Sequence, residues 1–86
     1  MAWRIVLAAP AQKDLEKVPV ADHRRVMNRL AALAADPTTA DIKKLEGKEA
    51  GWRLRVGDWR VRFEFRDEER AIVVLRVLPR RDAYRG

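Results

Sequence analysis

The segment Trp52–Arg66 reads WRLRVGDWRVRFEFR, and its pattern decides how the rest of the chain folds. Apolar residues alternate with charged residues on both sides of the Gly57-Asp58 dipeptide. Strict alternation of aromatic and β-branched residues predicts half-buried β-strands, and a two-residue break that begins with glycine predicts a tight type II′ turn. We therefore expect an antiparallel hairpin with strands at residues 52–56 and 59–66.

A two-residue turn fixes which side chains face one another across this hairpin. Arg55 then lies opposite Arg60, and Arg53 lies opposite Arg62, on the face turned away from the core. Like charges placed directly opposite one another destabilise a sheet by up to about 1 kcal/mol per pair. The arrangement suggests that a polyanion supplies the missing negative charge, and a solvated face of an ordinary basic protein is the alternative.

Composition narrows the possible partners. The chain has 86 residues, a formal net charge of +6, no cysteine and no serine. One domain over residues 1–86 is expected, without disulfides, thiolate metal sites or a serine nucleophile. Residues 52–86 contain ten arginines, six acidic residues and no lysine, which favours phosphate-bearing partners because guanidinium groups bind phosphate in a bidentate manner. With no apolar run long enough for a bilayer and no secretory signal, we expect a cytoplasmic protein without a membrane partner.

The flanking segments complete an α+β domain. The pattern predicts a strand at residues 3–7, helices at about 10–18 and 20–35, a loop at 36–51 and a strand at 71–78. The expected fold is an N-terminal strand, a two-helix hairpin and a three-stranded antiparallel meander, with the helices packed on one face of a mostly antiparallel sheet. In the last strand we expect Val73, Leu75 and Val77 to face the core and Arg76 to lie beside Arg62. An irregular tail should follow from Pro79.

Familiar catalytic constellations are missing from the sequence. It contains no glycine-rich phosphate loop, no metal-ligand spacing and a single histidine, His23, which is expected on a helix surface. Glu64 is the one acid on the arginine-bearing face of the hairpin. We expect it to pair with Arg53, Arg62 or Arg66, and a role as general base is the alternative. No metal or cofactor is expected.

Three motifs together resemble a known family. They are KLEG at residues 44–47, GWRLRVGDWRV at 51–61 and VLRVLPRRDAY at 74–84. These motifs, placed after two predicted helices in a chain of this length, resemble the RelE/ParE superfamily of bacterial toxins. The resemblance implies a type II toxin that a cognate antitoxin holds inactive. RelE-like members cut mRNA on the ribosome without a metal, through attack of a ribose 2′-hydroxyl on the adjacent phosphate, whereas ParE-like members poison DNA gyrase.

The RelE-like branch of this resemblance implies four catalytic residues. Arg55 and Arg60 would bind the scissile phosphate, Arg80 would stabilise or protonate the leaving 5′-oxygen, and Tyr84 would orient or stack the nucleotide. The implied RNA-contact residues are Arg53, Arg62, Arg81, Lys43 and Lys44. For the two lysines, a solvated loop is the alternative interpretation.

One departure from the RelE-like pattern affects the chemistry. RelE-like enzymes carry lysines at the positions of Arg53 and Arg55, and arginine does not release its proton in proteins. The proton acceptor is therefore open between Glu64, a tyrosinate and a group of the ribosome. The expected function is a ribosome-dependent endoribonuclease that inhibits translation. The alternatives are a DNA gyrase inhibitor and a non-catalytic basic module that only binds an acidic antitoxin.

Overall fold

The fold is built on one five-stranded sheet. A computed structural model describes residues 2–46 and 51–83. In chain order the described elements are β1 (Arg4–Leu7), α1 (Ala9–Glu16), α2 (Val20–Ala35), a 3₁₀ turn (Pro37–Thr39), β2 (Ile42–Leu45), β3 (Gly51–Val56), β4 (Trp59–Arg66), β5 (Ala71–Pro79) and α3 (Arg80–Ala83).

The strand order in the sheet is β1-β5-β4-β3-β2. Strand β1 pairs with β5 in parallel, and the other neighbours are antiparallel. This confirms the α+β class. The loop expected at residues 36–51 is wrong in part, because Ile42–Leu45 pairs with β3. Four residues with two lysines carry no clear alternation, so only the pairing makes this segment a strand.

Helices α1 and α2 cover one face of the sheet. Helix α2 has the predicted bounds and buries Val26, Leu30 and Leu33, and α1 begins with Pro10 in its first turn. These side chains join a single core cluster with the apolar residues of β3, β4 and β5, around a fully buried Phe63. The opposite face of the sheet, called the outer face below, carries the charged residues of the hairpin.

The central hairpin matches its predicted register. Arg55 pairs with Arg60 and Arg53 pairs with Arg62. Gly57 has a φ of +57°, and among the described non-glycine residues only Arg70 has a positive φ, so Asp58 takes a negative one. A type II′ turn requires this combination, because its first central residue is left-handed and its second is not.

Strand β5 departs from its predicted register. Arg76 lies opposite Arg62 as expected, but Phe63 pairs with Val74, so Leu75 is an extra residue in a β-bulge. The bulge changes which side chains face the helices: Ile72 and Val74 join the core before it, and Val77 joins after it. The expectation that Val73 and Leu75 face the core is therefore wrong.

The edge of β5 is closed by α1. Strand β1 ends at Leu7, which leaves the second half of β5 without a strand on that side. There the Asp14 carboxylate accepts hydrogen bonds from the Val77 backbone N–H at 2.9 Å and from Arg76 Nε at 2.8 Å. The expected irregular tail is also corrected, since the chain turns into α3 directly after β5.

Candidate functional site

A row of basic residues crosses the outer face from one strand to the next. Lys43 pairs with Arg53, Arg53 with Arg62, and Arg62 with Arg76. Directly opposed residues of neighbouring strands point to the same face, so these four side chains share the outer face. Adjacent strands lie about 4.8 Å apart, which spaces the row closely enough for one extended anion to meet several of its members.

A second row lies nearer the hairpin turn. Arg55 and Arg60 face one another two residues along the strands from Arg53 and Arg62, a step of about 6.6 Å. The Arg55 side chain is exposed, whereas Arg60 is only 4% exposed. Arg60 Nη1 donates to the backbone oxygens of Gly57 at 2.8 Å and Trp59 at 2.9 Å. The turn therefore holds the guanidinium of Arg60 in place.

Arg60 is a buried cation, and the described residues give it no acidic partner. Within the described part of the chain no carboxylate lies within ion-pair distance of it, and its buried Nε has no hydrogen-bond partner. Burying a charge without an opposite charge costs several kcal/mol in proteins. Such a group is characteristic of functional sites, because an anionic ligand supplies the charge that the fold omits.

Two other arginines of this sheet are neutralised internally. Arg66 pairs with Glu64 at 2.8 Å, which realises one of the three pairings expected for Glu64. Arg76 pairs with Asp14 at 2.8 Å. Burial alone would raise the pKa of the Asp14 carboxyl, but the hydrogen bonds from Arg76 and Val77 and the charges of Arg76 and Lys17 hold it below its ordinary value. Arg76 is therefore a structural cation.

The two lysines of β2 lie on opposite faces. Lys43 is opposite Arg53 and belongs to the outer face, whereas Lys44 is opposite Trp52, whose ring packs against the core. Both lysine side chains are exposed. Of the two lysines predicted to contact RNA, Lys43 therefore adjoins the arginines of the hairpin, and Lys44 does not.

Helix α3 attaches to the hairpin turn. The Arg80 backbone N–H donates to the Asp58 oxygen at 2.7 Å, and Asp58, Pro79, Arg80 and Arg81 line an open cavity. Both arginines are exposed. The fold therefore brings Arg80 and Arg81 to the same end of the sheet as Arg60, although they are about 20 residues away in sequence. Tyr84 lies outside the described residues.

Helix α2 contributes residues that the sequence did not single out. Its Arg29 Nη2 donates to the Arg55 oxygen at 3.4 Å, and Asp22 Oδ2 accepts from Trp59 Nε1 at 3.1 Å. The Arg25 guanidinium lies over the turn, so that a Cβ on Gly57 would stand 3.0 Å from Arg25 Nη2. The available signal was the spacing of Arg25 and Arg29, which at i and i+4 share one face of a helix.

The described part of the chain offers neither a cluster of metal ligands nor a membrane-spanning helix. Among residues 2–46 and 51–83, no three histidine, cysteine, aspartate or glutamate side chains are grouped so as to hold a metal ion. In the same ranges, no helix combines the length and the apolar character needed to cross a bilayer.

Comparison with known proteins defines the class of this fold and site. A family model described as the ParE toxin of the type II toxin–antitoxin system parDE matches residues 5–84. The chain therefore belongs to this family of type II toxins, within the RelE/ParE superfamily, as the sequence motifs predicted. A candidate toxin named RelE1 from Methanocaldococcus jannaschii is 25% identical over 89 aligned residues, which cover 100% of this chain and 99% of that protein.

Solved structures agree with this assignment. The toxin of a RelE–RelB complex from Pyrococcus horikoshii is 29% identical with a TM-score of 0.78, over 93% of this chain and 97% of that chain. The RelBE2 toxin–antitoxin complex from Mycobacterium tuberculosis matches at 27% identity and a TM-score of 0.83, over 93% and 100% of the two chains. The isolated Escherichia coli RelE toxin, at 18% identity and a TM-score of 0.76 over 91% and 84%, shares the fold.

Proposed function

We propose that this toxin is a metal-independent, ribosome-dependent endoribonuclease that cleaves mRNA and thereby inhibits translation in the cytoplasm. The observation that carries the proposal is the group of guanidiniums at the hairpin turn. Arg55 is exposed, and Arg60 is buried with no described carboxylate in ion-pair distance. Arg80 follows at the same end of the sheet, where its backbone N–H donates to the Asp58 oxygen of the turn. RelE-type names among the relatives at 25–29% identity support the same branch.

In the proposed reaction, one phosphorus–oxygen bond forms and another breaks at the same phosphorus atom. The ribose 2′-oxygen loses its proton and attacks the adjacent phosphate, and the bond from phosphorus to the 5′-oxygen of the next nucleotide breaks. The leaving oxygen takes up a proton from water, so that a cyclic phosphate and a 5′-hydroxyl result. Arg55 and Arg60 stabilise the negative charge that gathers on the phosphate, and Arg80 stabilises the leaving oxygen. The turn contacts of Arg60 fix one guanidinium before the RNA arrives, which lowers the entropic cost of positioning.

The remaining basic residues have a supporting role in this proposal. Arg53 and Arg62, with Lys43 at the edge and Arg81 on α3, bind the RNA backbone on either side of the cut. Tyr84 orients the nucleotide, as the family resemblance implies. The proton acceptor stays open between a tyrosinate, a ribosomal group and Glu64, which in the free protein is paired with Arg66.

The nuclease proposal is tested by primer extension on mRNA from a cell-free translation reaction. Wild type is expected to cut inside codons. Arg55→Ala and Arg80→Ala are expected to lose about 10²- to 10³-fold in cleavage rate, the usual effect of removing one donor that stabilises transition-state charge. Arg66→Ala is the matched control, because Arg66 is an arginine on β4 whose charge Glu64 already neutralises. Intact mRNA with wild type, or equal losses in all three variants, would contradict the proposal.

The matching family model carries the ParE name, which favours one second candidate, inhibition of DNA gyrase. Inhibited supercoiling by purified gyrase, together with intact mRNA, would select that candidate. A protein that affects neither reaction but binds an acidic partner would be the non-catalytic module.

We further propose that a cognate antitoxin neutralises this toxin by covering the outer face. The relatives from Pyrococcus horikoshii and Mycobacterium tuberculosis were solved with their antitoxins, and the outer face offers cations to an acidic segment. Amide hydrogen exchange at residues 53–62 and 80–83 should slow in the complex. Unchanged exchange in both ranges would place the antitoxin elsewhere.

A further inference from the structure

The basic surface does not stop at the sheet. Strand β2 pairs with β3 only up to Leu54, and the Arg55 backbone N–H donates to the Asp41 oxygen at 3.3 Å. From the Arg55 carbonyl to the turn, no described strand lies beside this edge of β3. Helix α2 reaches this edge with two arginines. Arg29 donates to the Arg55 backbone oxygen, and Arg25 lies over Gly57. Below, Arg25, Arg29 and Arg55 are called the edge arginines.

Helix and strand spacings match along this edge. Arg25 and Arg29 are four residues apart on α2, which is a rise of about 6.0 Å. The two positions that they contact, Arg55 and Gly57, are two residues apart on the hairpin, or about 6.6 Å. Arg29 therefore contacts the backbone at Arg55, and Arg25 lies over Gly57. Their two guanidiniums form a short row parallel to β3. A glycine at 57 leaves the space that Arg25 occupies.

The charge of this row is only partly neutralised. Arg25 pairs with Asp22 at 3.8 Å, and Asp22 also accepts a hydrogen bond from Trp59. Arg29 and Arg55 form no ion pair with any described carboxylate, and the nearby Asp41 and Asp58 form none with the edge arginines. The Arg25 side chain is 60% exposed.

We propose that the edge arginines form a second RNA-contact surface, which binds phosphodiester backbone outside the strand that is cut. Arg55 belongs to both surfaces, since its side chain lies on the outer face while its backbone oxygen holds Arg29 at the edge. An RNA strand on the outer face cannot also cover α2, which packs on the opposite face of the sheet. Exposed guanidiniums at regular spacing fit phosphate oxygens, to which arginine donates bidentate hydrogen bonds. This inference rests on the proposed function, because a ribosome contains RNA other than the mRNA that the toxin would cut.

The test measures binding without cleavage. Ribosomes carrying an mRNA with 2′-O-methyl groups, which cannot be cut at the 2′-oxygen, are titrated with toxin at several KCl concentrations. The double variant Arg25→Gln/Arg29→Gln should bind more weakly. Its slope of log affinity against log salt should be shallower by about 1.4–1.8, at 0.7–0.9 per lost phosphate contact. Arg25→Lys/Arg29→Lys keeps both charges and should retain most of the slope.

Arg24→Gln is the matched control. Arg24 is an exposed arginine of the same helix that points about 100–140° away from Arg25 and Arg29 around the helix axis. Equal slopes for the control and the double variant would overturn the inference, as would a double variant that loses affinity for antitoxin but not for ribosomes. If the double variant does not fold, Arg29→Gln alone should lose about 0.7–0.9 of the slope, and an unchanged slope overturns the inference.

The two proposals fail in different ways. A wild-type toxin that binds ribosomes through the edge arginines but leaves ordinary mRNA intact would remove the nuclease proposal only. Cleavage with ribosome affinity and salt slope unchanged in the double variant would remove the edge surface only.

Discussion

The contact between Asp14 and β5 makes a quantitative prediction about stability. Asp14 is the only described acid that joins α1 to the open edge of β5, through Val77 N–H and Arg76. Replacing Asp14 by alanine leaves the backbone N–H of Val77 without its acceptor and Arg76 without its counter-charge. We expect a lower free energy of unfolding, since the hydrogen bonds that Asp14 accepts from Val77 and Arg76 are lost.

The size of the effect follows from three contributions. An unsatisfied, partly buried N–H costs about 1–3 kcal/mol. The ion pair adds about 0.5–1 kcal/mol, because the Arg76 side chain is 46% exposed and solvent screens it. Alanine regains about 0.6 kcal/mol of helix propensity. The expected net loss is about 2 kcal/mol, or a fall in Tm of roughly 8–16 °C for a chain of this size.

The assay is urea unfolding followed by tryptophan fluorescence, with Glu16→Ala as the control. Glu16 is an exposed acid of the same helix that makes no ion pair among the described residues. The control should lose less than about 0.5 kcal/mol. Losses of equal size in the two variants would refute the idea that Asp14 closes the edge.

Low pH should reduce the difference in unfolding free energy between wild type and Asp14→Ala. The pKa of Asp14 is lower in the folded protein than its unfolded value of about 3.9. Its contribution is therefore complete above that unfolded value and disappears as the pH falls through the folded pKa. The gap between the two unfolding free energies should be constant from pH 7 to 5 and narrower at pH 3. A gap that is as wide at pH 3 as at pH 7 would contradict the lowered pKa.

Three further predictions concern the sheet. Lys43→Gln should make the salt dependence of ribosome binding shallower by about 0.7, whereas Lys44→Gln, on the opposite face, should leave it unchanged; equal effects would contradict the assignment of faces. Gly57→Ala should lower the free energy of unfolding by about 1–2 kcal/mol in urea titrations, because φ is +57° there and a Cβ would crowd the Arg25 guanidinium, and an unchanged midpoint would refute this. Phe63→Ala should cost about 3–5 kcal/mol by the same assay, since the ring is fully buried, and a loss below about 1 kcal/mol would show that the core closes without it.

The sequence alone determined the elements whose information is local. Alternation along residues 52–66 and a glycine at the first turn position fixed the hairpin, its register and the facing arginine pairs. The apolar spacing of residues 20–35 predicted helix α2, and Pro19 and Pro37 on either side of it predicted its bounds. The family resemblance came from the motifs at residues 44–47, 51–61 and 74–84, the second of which covers the hairpin turn and its facing arginines.

Tertiary structure decided everything that depends on partners distant in the chain. Strand β2 exists because β3 offers it hydrogen bonds, and the bulge at Leu75 arises where β5 must match β4 on one side and the helices on the other. Neither leaves a periodic signal in a short segment. Long-range packing also gives the arginines different surroundings. Arg76 is neutralised by Asp14, 62 residues away in the chain, while Arg60 is buried with no described carboxylate in ion-pair distance. The sequence gives the number of arginines. The packing of the folded chain decides which of them pair with an acid and which can bind an anionic ligand.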